Sequence, residues 1–125
     1  MTGRPASLLV AIVVLAVEGV GALLFAALVA ALRGWVLADV RYDVEVLVAA
    51  SVGFALPCLV AAAGAWAGRS WSWLVGVVIQ SIVLMGVAAA IVSGGWHPAL
   101  LVAIALAGTG AAALFNPATR RALGV

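Results

Sequence analysis

The chain has 125 residues, 68% of them hydrophobic and only 8% charged, with a mean hydropathy of +1.36. Soluble domains are nearer 45–50% apolar and about 25% charged, and six arginines with four acids cannot coat a globule of this size. These figures exclude a soluble enzyme, a nucleic-acid binder and a disordered tail, and the net charge of +2 reads as topology information.

The first apolar run covers 7–32, between Arg4 and Arg33, and is broken only by Glu18. A signal peptide has an apolar core of only about 7–15 residues, so this longer run is expected to be retained as a spanning helix. A charged side chain at the bilayer centre costs about 2.5–3.5 kcal/mol. The fifteen Leu, Ile, Val and Phe residues of the run each return about 0.3–0.6 kcal/mol near the centre, so the segment inserts. A polar connection over 33–45 follows, with Asp39, Asp43 and Glu45 beside Arg33 and Arg41.

The second run, 46–68, carries no charge and contains Pro57, which predicts a kink near Gly53. A tight turn at Gly68-Arg69-Ser70 leads into the third run, 70–92. Gly94 and Gly95 supply turn conformations before Pro98 opens the fourth run, 98–116, which stops at Asn116-Pro117. Continuous apolar segments of this length span a bilayer as helices, because the backbone must satisfy its own hydrogen bonds there. The expected fold is all-α: an integral membrane four-helix bundle, a single transmembrane domain over 1–125 with its principal partner the lipid bilayer.

With four spans the two termini share a side. That side carries Arg4, Arg69, Arg120 and Arg121, against Arg33 and Arg41 on the other. The positive-inside rule then puts both termini in the cytoplasm. Trp66, Trp71 and Trp73 form an aromatic belt at the same face, with Trp35 and Trp96 at the opposite one. Arginine without lysine in an Ala- and Gly-rich chain points to a GC-rich bacterial genome, hence a multi-pass protein of a bacterial plasma membrane. The single cysteine, Cys58, excludes an intramolecular disulfide and reads as a small core residue.

Glu18 is the one ionisable residue inside a span, and the small residues Ala11, Gly21 and Ala22 on its face suit helix packing. It should therefore face the bundle interior or a partner chain. At about 1.5 Å per residue, Glu18, Gln80 and Thr109 fall at similar depths of about 14–16 Å from the terminal face. A midplane polar cluster Glu18–Gln80–Thr109 is the expected binding site, with Gln80 donating to the carboxylate. Two chemistries follow. A carboxyl group in low dielectric can trade a proton for a cationic ligand, or the pair can serve only as interhelical glue.

The other polar residues carry less. His97 is a lone interfacial histidine without a second ligand. The acids of the first connection match no cation-binding loop. Ser51, Ser81 and Thr109 can bond their own helix. No zinc, phosphate-loop or dinucleotide motif is present, so neither a metal, a cofactor nor catalysis is expected. Small-residue pairs at Ala49/Gly53, Gly64/Gly68 and Gly108/Ala112 favour close packing or self-association.

The run Ala67-Gly-Arg-Ser-Trp-Ser-Trp73, then Gln80, Gly94-Gly95-Trp96 and the exit Asn116-Pro-Ala-Thr-Arg-Arg121 resemble the small four-span integral membrane proteins common in actinobacteria. That group is defined by topology rather than by an activity. Ala16-Val-Glu18-Gly-Val-Gly21 gives a looser likeness to the small multidrug resistance transporters, dimers of four-span chains with an essential Glu in the first helix. This likeness implies that Glu18 is the proton-exchanging residue of a homodimeric exporter of small cationic compounds. The sequence departs from that family in lacking an intramembrane Tyr or Trp beside the carboxylate and in its long first connection. The leading expectation is a non-enzymatic accessory or interaction protein, paired with itself or held in a larger membrane complex.

Overall fold

A computed structural model describes residues 3–32 and 44–125. It contains α1 (Ala6–Ala31), α2 (Val44–Trp66), α3 (Trp71–Gly94), α4 (Pro98–Phe115) and α5 (Pro117–Leu123), with no strand among the described residues. The first four helices are long and apolar enough to cross a membrane. The expected Arg33, Trp35, Asp39, Arg41 and Asp43 features lie outside the described residues.

Helix boundaries follow from local chemistry. Gly68 (φ 70°) and Gly95 (φ 80°) take up left-handed backbone at the two turns, where a Cβ would be strained. His97 is more than a solvated side chain: its Nδ1 accepts from the Ala99 amide at 3.1 Å, capping α4, with Pro98 at the first helical position. Asn116 does the same for α5, its Oδ1 accepting from the Ala118 amide at 2.9 Å. The chain thus starts a fifth helix where an end to helical structure is expected from Asn116-Pro117. Helix α2 runs unbroken through Pro57.

Between helices in lipid there is no water to expel, so association depends on close packing and hydrogen bonds. The packed core lies almost wholly in the half of the bundle near the termini. Leu15, Cys58, Ala61, Ala62 and Ile79 form one cluster, Ala11, Ala113 and Leu114 a second, and Leu8, Ala65 and Leu123 a third. Towards the opposite end the buried positions thin out to Ala26, Val29 and Val87 among the described residues. Among the described residues, more side chains are buried at the terminal end of the bundle than at the other.

Helix α5 closes the terminal end. Thr119 Oγ1 donates to Ser7 Oγ at 2.7 Å, and Leu123 is buried against Leu8 and Ala65, so the start of α1 is held by the end of the chain. Trp73 is more than a belt residue. Its Nε1 donates to the Leu114 carbonyl at 2.8 Å, while its ring meets Phe115 edge-on at 5.7 Å. The Leu114 carbonyl would ordinarily accept from residue 118, whose amide is turned to Asn116; the indole supplies the missing donor. Trp73→Phe should therefore lower stability by about 1 kcal/mol, read as a lower thermal midpoint in mild detergent. An unchanged midpoint would show that this carbonyl needs no indole.

Candidate functional site

Glu18 sits at the middle of α1, half-buried, and Gln80 lies on the inner face of α3 with 1% of its surface exposed. Gln80 Nε2 donates to Glu18 Oε2 at 2.9 Å, joining the two helices at mid-bundle. The other oxygen of each group, Glu18 Oε1 and Gln80 Oε1, is buried without a hydrogen-bond partner. Two such acceptors leave a donor wanting, and a proton on the carboxyl would provide one.

Glu18 borders a crevice on the side away from the termini. This crevice, of about 360 Å³, opens between all four long helices, lined by Val17, Glu18, Ala22, Phe54, Val83 and Leu106 among others. Glu18 is the only polar side chain in that lining. Below it the packed cluster around Leu15 and Cys58 closes the way towards the termini. The arrangement is a blind apolar cleft with one carboxyl group at its wall.

The third expected member is not part of this group. Thr109 stands on the exposed face of α4, and the contact from that helix comes from Gly110. A Cβ at Gly110 would lie 3.0 Å from both Cδ and Nε2 of Gln80 and 2.9 Å from Val14 Cγ1. The reason is rotational. The buried positions of α4 are Ala107, Gly110, Ala113 and Leu114, and Thr109 is one residue, about 100°, out of that phase. Equal depth along a helix does not give an equal bearing around it. The phase of Ala107, Gly110 and Ala113 was readable as a small-residue stripe at helical spacing, and it marks Gly110 as the residue that lets the Gln80 amide lie flat against α4.

Among the described residues no three His, Cys, Asp or Glu side chains gather as a metal site. Cys58 is buried in the core next to Gly19, where a Cβ would meet it at 3.2 Å. Ser51 and Ser81 donate back to the carbonyls of Leu47 and Val77, both at 2.8 Å. Compared with protein-family models, curated proteins and solved structures, the chain matches none of them.

Proposed function

We propose that this chain is a non-enzymatic accessory protein of a bacterial plasma membrane, acting through helix–helix contacts within the bilayer with both termini in the cytoplasm. The observation that carries the reading is how its buried polar groups are used. Gln80 ties α3 to α1, Thr119 ties α5 to α1 and Trp73 ties α3 to the end of α4. Each is a bond between helices rather than a nucleophile beside a base. The orientation is supported by the arginines, four at the terminal end against two in the first connection.

The crevice favours a second reading, a homodimeric proton-coupled exporter of small cationic compounds using Glu18. Glu18 is the only polar residue lining that cleft, and one of its oxygens is unpartnered. Glu18→Gln separates the two. An amide accepts from Gln80 as the carboxyl does, so the accessory reading expects the thermal midpoint and native associations of the variant to match wild type. It also expects that neither protein, reconstituted in vesicles with an imposed pH gradient, moves a lipophilic cation. Transport by wild type that the variant lacks would replace the accessory reading with the exporter.

A further inference from the structure

At the terminal end a second cavity, of about 620 Å³, opens between the start of α1, the end of α2 and α5. Arg4, Leu8, Trp66, Ala118, Arg121 and Ala122 are among its lining residues. Arg4 is held in place rather than free: its guanidinium stacks 3.9 Å from the centre of the Trp66 ring, and Nη2 donates to the Trp66 carbonyl at 2.9 Å. Arg121 bonds its own helix, Nε to the Pro117 carbonyl at 3.3 Å. A guanidinium carries five N–H donors, so both arginines keep most of theirs. The two acids among the described residues lie away from them: Glu18 at mid-bundle, and Glu45 in the first turn of α2, at the far end of the helix that Trp66 closes. Arg69 and Arg120 add charge of the same sign at this end, Arg120 over the Trp73 ring at 5.7 Å.

Among the described residues, then, the pocket presents fixed guanidinium donors with no acid beside them, the geometry that binds phosphate oxygens. Its position argues for a lipid as the source of that phosphate. It lies where α1 begins and α2 ends, lined in part by Trp66, whose exposed indole, like that of Trp71 at the start of α3, suits a membrane–water boundary. Leu8 forms part of its lining, and α1 also carries the exposed apolar residues Leu9 and Val13 within its next two turns. A polar head and an apolar track suit an amphiphile, and a zwitterionic headgroup would bring an amine against the arginines.

We propose that this pocket seats the headgroup of an anionic phospholipid, with Arg4 and Arg121 bonding its phosphate. The proposal rests on the chain residing in a bilayer, which resistance to alkaline extraction from membranes checks separately. The test uses the purified full chain in mild detergent, with native mass spectrometry and thermal midpoints, and phosphatidylglycerol or phosphatidylcholine as added probe. Wild type should retain phosphatidylglycerol preferentially and gain stability from it. Arg121→Gln, at an exposed residue, should fold normally and weaken retention about tenfold, the scale of one lost charged hydrogen bond. Arg4→Gln should act in the same direction. Arg69→Gln removes the same charge from the same end outside the pocket and should change retention less than about twofold. Equal losses in all three variants, no preference between the two lipids, or stabilisation by inorganic phosphate alone would each overturn the assignment.

Discussion

Replacing Gly110 by leucine should strongly destabilise the bundle, because α1, α3 and α4 meet at that residue with no room for a side chain. The first added carbon would lie 2.9 Å from Val14 Cγ1 and 3.0 Å from the Gln80 amide, and three further carbons would have to follow it. Overpacking of this kind costs about 1–3 kcal/mol, and the upper end is expected because the helices either must separate or must surrender the Gln80–Glu18 bond. Gly108 is the internal control. It lies two positions away with nothing within 4 Å of an added Cβ, so Gly108→Ala should be neutral, or gain up to about 1 kcal/mol in helix propensity. Unfolding by titration with a denaturing detergent reads both. A Gly110→Leu protein as stable as the Gly108→Ala protein would mean that the helices do not approach as described.

The second large effect concerns the pair itself. Gln80→Leu removes the amide that donates to the Glu18 carboxyl group and leaves that group in an apolar setting. An interhelical hydrogen bond in a membrane is worth only about 0.6 kcal/mol on average, but an orphaned buried polar group costs about 1–3 kcal/mol. The single variant should therefore fall by the larger amount. Adding Glu18→Leu removes the orphan as well, and the double variant should recover most of the loss, since two apolar residues replace a matched polar pair. The sign of that recovery is the decisive reading of a double-mutant cycle in the same denaturation assay. A double variant no better than Gln80→Leu would show that the two side chains act independently.

The four long helices were legible because segments able to cross a bilayer show continuous apolarity over about 20 residues, and the apolar runs lie close to α1 to α4. The Glu18–Gln80 contact was reachable from depth alone, since both residues are rare polar positions at mid-span. Depth failed at Thr109 because it says nothing about rotation around the helix. Small-residue spacing was less informative about packing within the chain for a different reason. In a chain this rich in alanine the pattern recurs by chance, and of the glycines in the expected pairs only Gly64 meets a neighbouring helix, with Trp71 2.6 Å from an added Cβ. Gly53 and Gly108 face open space, whereas Gly19, Gly76 and Gly110 make the close approaches. Helix α5 was missed although its signals were present, an Asn cap followed by Pro, because seven residues are too few to show a hydropathy period.

The bond from Thr119 to Ser7 links residues 112 positions apart. While the chain is being made, α1 is already in the bilayer long before that partner exists. The clasp can close only after the segment 117–123 has left the ribosome, so the start of α1 is without that partner until then. The start of the first helix is thus completed by a helix made after all four long ones.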